Sequence, residues 1–193
     1  MKAGSAYIPL TRQELAAGMG VVEIADMTEV HAADIVTWRY PPPYDCYDLA
    51  GMEPAFFTNP ANGYVSLVDE GRLIGFRVFG VDGQVPGGVY DESALDTGGG
   101  LRPEWTGRGL GRQAIATGLE YGAARFQPAV FRVTVASFNI RAQRVLQGLG
   151  FVPTQRFSAT TDGRSFVIMT RPTVRWCTPP GFNGSWTSTS PSR

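Results

Sequence analysis

Residues 101–112 read Leu-Arg-Pro-Glu-Trp-Thr-Gly-Arg-Gly-Leu-Gly-Arg, and the alternation of Gly107, Gly109 and Gly111 limits what this stretch can build. Glycine at every second position strips side chains from one edge of a turn and permits positive φ, so several backbone N–H groups can face one concavity. An apolar pattern of helical period follows through Leu110, Ala114, Ile115, Leu119, Gly122 and Phe126, predicting a helix from about residue 109 to 126. The first N–H groups of such a helix have no partner within it, and its dipole is positive at that end. Arg108 and Arg112 add guanidinium donors matched to phosphate oxygens. The stretch therefore predicts a cradle for a pyrophosphate or a similar anion, against the plainer alternative of a glycine-rich surface turn.

Two common phosphate loops are excluded. A Walker A loop needs Gly-Lys-Ser/Thr, and the only lysine of the chain is Lys2. Gly109-Leu-Gly111-Arg-Gln-Ala114 fits a G-x-G-x-x-A dinucleotide fingerprint, but Ala129 to Arg132 stand where the ribose-binding acid belongs, and no βαβ repeat surrounds it.

The remaining pattern alternates strands and short helices. Thr11-Arg-Gln-Glu14 fits a capping box for a leading helix. Val21 to Asp26 reads as a strand, and Thr28 can cap a helix whose Ile35 and Trp38 share a buried face. Tyr40-Pro-Pro-Pro-Tyr44 must break that helix. Residues 44–57 combine tyrosines, phenylalanines and acids, a mixture that packs helices onto a sheet and can also wall a pocket for a cationic amine. Trp38, Tyr44, Tyr47 and Asp48 are the candidate acceptor contacts. Asp69-Glu-Gly71 joins two strands as a hairpin. The next strand, residues 94–102, carries Gly98-Gly-Gly100, which predicts a bulge or a ligand close to the backbone. A strand over 131–136, a helix capped by Asn139 and ended at Gly150, and two last strands around Thr161-Asp-Gly163 complete the pattern.

With 193 residues the chain suits one domain. We divide it into an extension (1–20), a folded domain (21–171) and a Pro/Ser/Thr-rich tail (172–193) expected to be disordered. Seventeen basic residues balance seventeen acidic ones, so nucleic acid has no electrostatic support as a partner. One histidine, His31, and two distant cysteines, Cys46 and Cys177, predict no metal site and no structural disulfide. No apolar run is long enough for a membrane span or of signal-peptide type, and a cytoplasmic location is expected.

Leu101-Arg-Pro103 followed by Thr106-Gly-Arg-Gly109-Leu-Gly111 resembles the acyl-CoA loop of the GNAT N-acetyltransferase superfamily, Gln/Arg-x-x-Gly-x-Gly/Ala, with Thr106 in the Gln/Arg position. Asn139-Ile-Arg-Ala142 through Gly148-Leu-Gly150-Phe151 resembles the family's second block, and both stand in the expected order. Segments around Trp38 and Leu95 to Pro103 are similar to a bacterial subgroup of uncharacterised members. The resemblance implies an α/β (α+β) single domain: a mixed, mostly antiparallel central sheet flanked by helices, with a splayed strand pair at the acyl-CoA site.

It further implies acetyl-CoA as co-substrate without a metal, and a small-molecule or peptide amine as acceptor. Gly100, Leu101 and Arg102 would follow the pantetheine arm. Thr106, Gly107, Arg108, Gly109, Leu110, Gly111 and Arg112 would hold the pyrophosphate, and Asn139 would touch the arm from the second block. The Leu101 N–H would polarise the thioester carbonyl. Asp96 is the first candidate base, ahead of Asp91 and Glu92. The tyrosine that many members use to protonate the departing thiolate is matched by Leu146, which leaves Tyr90 or water for that step. The same substitution suits a non-catalytic acyl-CoA-binding module. A homodimer and a monomer are both compatible with the sequence.

Overall fold

The computed structural model describes residues 20–173. The capping-box pattern at Thr11–Glu14, Cys177 and the tail beyond residue 173 lie outside them. Strands β1 (Glu23–Asp26), β2 (Tyr64–Asp69), β3 (Arg72–Phe79), β4 (Leu95–Leu101), β5 (Val130–Ala136), β6 (Val152–Ser158) and β7 (Ser165–Pro172) form one sheet in the order β1-β2-β3-β4-β5-β7-β6. Every neighbouring pair is antiparallel except β4 and β5, which run parallel. Helices α1 (Glu29–Ile35) and α2 (Pro54–Thr58) pack on one face, and α3 (Gly111–Phe126) and α4 (Ile140–Gly148) on the other. Among the described residues no helix is long and apolar enough to cross a membrane.

Local chemistry sets the element ends. Thr28 Oγ1 accepts the His31 amide at 3.1 Å and starts α1, and Asn139 Oδ1 accepts the Ala142 amide at 3.1 Å and starts α4. The β2–β3 hairpin turns through Glu70 and Gly71, both at positive φ (47° and 76°), as a two-residue turn with right-handed twist requires. Gly150 takes the left-handed conformation after α4 at φ 88°.

The first apolar cluster joins α3 and α4 to the second half of the sheet through Leu119, Phe131, Val133, Leu146, Phe151, Val167 and Met169. A second seats α1 and α2 on the first half through Ile35, Trp38, Phe57 and Leu73. Around it the rings of Phe56, Phe57, Tyr64 and Phe76 meet at 4.9–5.9 Å, so Phe56 and Phe57 pack rather than line a pocket.

Helix α3 lies close to the sheet because Ala114, Gly118 and Gly122 form its inner stripe. A β-carbon on Gly118 would stand 2.8 Å from Arg77 Nε, and one on Gly122 would stand 2.7 Å from Phe79 Cε1 and 3.0 Å from Phe131 Cε1. Arg77 is buried under that stripe. Its Nη2 donates to Thr97 Oγ1 at 2.8 Å, its Nε has no partner, and burial pushes its pKa down to about 10.

The triple glycine departs from expectation. Gly98, Gly99 and Gly100 pair with Val78, Arg77 and Phe76 without a register shift, so β4 has no bulge there. The irregularity falls between β2 and β3 at Leu67/Val68. Glycine is required at position 99 for room, because a β-carbon there would collide with the Phe76 carbonyl oxygen.

Gly122→Ala, which would stabilise an exposed helical position by about 1 kcal/mol, is expected here to destabilise by about 1–3 kcal/mol through overpacking against two rings. Urea denaturation measures the sign.

Candidate active site at a strand gap

β4 and β5 pair only at Leu95–Phe131 and Asp96–Arg132, then separate. Backbone parity shows what each strand offers to the gap. The amide of Gly80 bonds the Asp96 carbonyl at 2.9 Å, and the amide of Arg102 bonds the Ile74 carbonyl at 2.8 Å. Even-numbered residues of β4 therefore face β3, and the N–H and C=O groups of Thr97, Gly99 and Leu101 face the gap. On β5, Ser137 bonds Ser165 of the β7 side, so Thr134 and Ala136 are the residues whose backbone groups face the gap. Two open strand edges thus look at each other across a cleft.

The apex of this cleft is a buried ion pair. Arg132 Nε and Nη2 bond the two carboxylate oxygens of Asp96 at 2.7 and 2.8 Å, and Gln84 Nε2 adds 2.8 Å to Oδ2. Asp96 is 4% exposed and Arg132 5%. Burial lowers the Arg132 pKa, but its bonds to Asp96, the largest influence, and to Asp91 leave it well above the usual range. The bonds of Asp91 to Ser93 and then Arg132 hold its exposed carboxyl below the usual range. Asp96, expected as a base, has both oxygens engaged and no face open to solvent. Its position is structural because the facing strand supplies a guanidinium.

Tyrosines from one segment occupy both lips. Tyr40 Oη donates to the Leu101 carbonyl at 2.7 Å, and burial, with the charges of Asp48 and Glu104, pushes its phenol up. Tyr47 Oη accepts from the Ala136 amide and from Asn139 Nδ2, each at 3.3 Å. Asp48 Oδ1 accepts the Tyr40 amide at 2.9 Å. Tyr44 packs edge-on against Phe138 at 5.5 Å, with Arg141 over its ring at 4.8 Å. Trp38, expected in the acceptor pocket, is 5% exposed in the α1/α2 core, where its ring packs with Ile35, Phe57 and Leu73 and its Nε1 donates to Asp34 Oδ1 at 3.3 Å.

The glycine loop opens onto the same cleft. Pro103–Trp105 forms a 3-10 turn, Thr106 Oγ1 bonds the Pro103 carbonyl at 2.8 Å, and Gly107 and Gly109 stand at φ 77° and 86°. Helix α3 follows with no side-chain cap and no acid in its first turn, although Arg112 is there. The first helical bond runs from the Ala114 amide to the Leu110 carbonyl, so the amides of Gly111, Arg112 and Gln113 have no partner within the helix. A cation at an uncapped N-terminus opposes the dipole and is favourable when an anion binds between them.

Leu110 is buried in the core at 6% exposed, Arg108 lies over the Trp105 ring at 5.5 Å, and Arg112 Nη1 also bonds the Gly148 carbonyl at 2.8 Å, tying α3 to α4. Arg102, expected beside a ligand arm, turns instead to α1. It forms a two-pronged pair with Asp34 at 2.9 Å and stacks at 5.9 Å on Trp38. Tyr90, expected as a proton donor, has its hydroxyl held by both backbone groups of Val85 and by Thr134 Oγ1, while its ring lies under Arg132.

Sequence reasoning missed three groups. Tyr40 reaches Leu101 across 61 positions, and Arg132 pairs with Asp96 across 36, separations that no local pattern reveals. Arg141 is the third. Its Nη1 lies 3.4 Å from where a β-carbon on Gly107 would sit, so it overlooks the glycine loop.

The acetyltransferase (GNAT) family model matches residues 29–151. No curated protein sequence matches the chain. Among solved structures, a GNAT acetyltransferase from Bacillus anthracis shares 14% identity, covering 80% of this chain and 96% of its own at a TM-score of 0.58. The aminoglycoside acetyltransferase AAC(6′)-Ib in complex with coenzyme A shares 17% identity over 78% of this chain and 94% of its own, TM-score 0.62. A chimera of the spermidine N-acetyltransferase of Vibrio cholerae shares 15% over 79% and 96%, TM-score 0.60. At these identities the structures establish a common fold.

Asp96→Asn is expected to lower stability by about 3 kcal/mol, because it leaves a buried guanidinium short of its counter-charge. Chemical denaturation checks this; an unchanged midpoint would show that the pair does not hold the apex.

Proposed function

The chain belongs to the GNAT family of acetyltransferases, and from that premise we propose that it transfers the acetyl group of acetyl-CoA to a primary amine of a small molecule or peptide by direct attack in a ternary complex. The observation that carries this reading is the uncapped N-terminus of α3, preceded by Gly107 and Gly109 at positive φ and opening beside the free edge of β4. The N-terminus suits the pyrophosphate, with Arg108, Arg112 and Arg141 as counter-charges. The edge formed by Gly99 and Leu101 suits the amide-bearing pantetheine arm, which can pair there as an added strand would.

The acyl carbonyl would lie against the Leu101 N–H, which is fixed in place by the strand and by the Tyr40 bond to the Leu101 carbonyl. A donor held before the reaction stabilises the oxygen that becomes negative as nitrogen attacks. The acceptor would approach from the Tyr40–Asp48 side. Asp48 lies beside Tyr40 and is the acid on this side that suits an amine carried as a cation, whereas Glu104 is paired with Arg102 at 3.4 Å. Two similar structures are named as aminoglycoside and spermidine acetyltransferases, which accords with a polycationic acceptor. In this reading Asp96 anchors the apex and takes no proton from the amine, and the protein works in the cytoplasm. The leucine at position 146 favours one alternative, a member that binds acetyl-CoA without turning it over.

Two measurements separate the readings. Mixed with acetyl-CoA and a panel of polyamines and aminoglycosides, the protein is expected to release free thiol faster than without acceptor. Thiol release at the no-acceptor rate, with calorimetric binding intact, favours the module. Gly109→Glu is expected to abolish CoA binding in calorimetry while circular dichroism still shows a folded domain: nothing lies within 4 Å of a β-carbon there, the new carboxylate would face the phosphates, and the positive φ of 86° costs stability of only about 1–2 kcal/mol.

A further inference from the structure

Acetyl transfer leaves a thiolate that must be protonated, and no group at position 146 can do this. Leu146 is 2% exposed inside the cluster with Phe131, Val133 and Phe151. Three other tyrosine hydroxyls are bonded to residues of the strands that flank the gap, and their bonds differ in kind. Among the described residues the only partner of Tyr40 Oη is a carbonyl, so its proton is committed to Leu101. Tyr90 Oη is committed on all sides to Val85 and Thr134.

Tyr47 is different. Both of its partners, the Ala136 amide and Asn139 Nδ2, are donors, so they use the lone pairs of the oxygen and leave its proton with no acceptor among the described residues. The bond to Ala136 also fixes where that oxygen is. The Ala136 N–H points into the gap by strand parity, so Tyr47 Oη sits on the β5 lip, facing the lip that carries the Leu101 N–H.

We propose that Tyr47 is the catalytic acid of this protein, donating its hydroxyl proton to the sulfur of CoA in place of the tyrosine missing at Leu146. The inference rests on the acetyl-transfer reading. The amine nitrogen bonds the acyl carbon, the carbon–sulfur bond breaks and its electron pair stays on sulfur. The proton of Tyr47 Oη passes to sulfur, giving free CoA thiol. The proton lost by the attacking amine, released to solvent, balances the one that returns to the phenolate. Tyr47 is suited to wait in its protonated form, because burial pushes its phenol up more strongly than the bonds from Asn139 and Ala136 pull it down. The two donors stabilise the transient phenolate by charge-assisted bonds. Asn139 thereby acts as a positioning residue, since its side chain caps α4 through Oδ1 and holds Tyr47 through Nδ2.

The test uses CoA itself and the full chain. The thiol of bound CoA is titrated by the ultraviolet absorbance of its thiolate, with desulpho-CoA as reference, in wild type, Tyr47→Phe and a protein carrying 3-fluorotyrosine at position 47. A donor to sulfur lowers the thiol pKa, so Tyr47→Phe is expected to raise it by about one unit, the size of a hydrogen bond to a charged group. Fluorotyrosine keeps the shape and the hydroxyl and donates more strongly, so it is expected to lower the pKa. Shifts in opposite directions support the proposal, and a purely structural tyrosine would not produce them. An unchanged thiol pKa in either variant with CoA bound overturns the proposal and leaves acetyl transfer standing. Failure of wild type to bind CoA overturns the transfer reading and the proposal with it.

Discussion

Everything that distinguishes this sheet follows from the parting of β4 and β5 after two residue pairs. Parallel strands pair slightly less stably per residue than antiparallel ones, and this pair is the only parallel contact in the sheet. The seam is secured at its closed end by Asp96 and Arg132, buried and joined by two bonds of 2.7–2.8 Å. Beyond them both strands continue, each anchored on its far side by an antiparallel partner. The gap is therefore held open from both flanks, and its two edges have no strand partner across it, the Leu101 carbonyl and the Ala136 amide being met instead by tyrosine hydroxyls.

The two faces of the sheet divide the work at that gap. On one face, the small residues of α3 bring its N-terminus close to the mouth, and Arg112 ties it to the end of α4. On the other, α1 and the proline-rich segment after it deliver Tyr40, Tyr47 and Asp48. Helix α1 already ends at Ile35, and Pro41 to Pro43 keep the chain after it from resuming a helix, so that residues seven apart reach opposite lips of the gap. One short segment thereby reads both strands.

Much of the fold was legible because it rests on local rules. Thr28 and Asn139 announced their helices, Gly71 its hairpin, and the glycine loop its helix, since each depends on residues within a few positions. The triple glycine was half legible. A bulge or a nearby ligand was the natural inference, whereas the regular register reflects the facing strand, whose Phe76 carbonyl and Arg77 side chain take the room that a side chain at position 99 would fill. The burial of Asp96 and Trp38 was not legible for a related reason. A carboxylate at a strand entrance and an indole beside a helix end have the same sequence appearance whether solvated or buried.

By itself, then, the sequence determined the elements, their order and the glycine turn that opens α3, because glycine spacing, capping side chains and apolar period act over one or two turns of chain. Only the tertiary structure decided which strand edges stay open, that Arg132 claims Asp96, and that Tyr47 has an uncommitted proton on the lip of the gap. Those outcomes depend on hydrogen-bond partners 36 to 92 positions apart, and which polar group meets which partner is settled by how the strands are ordered in space.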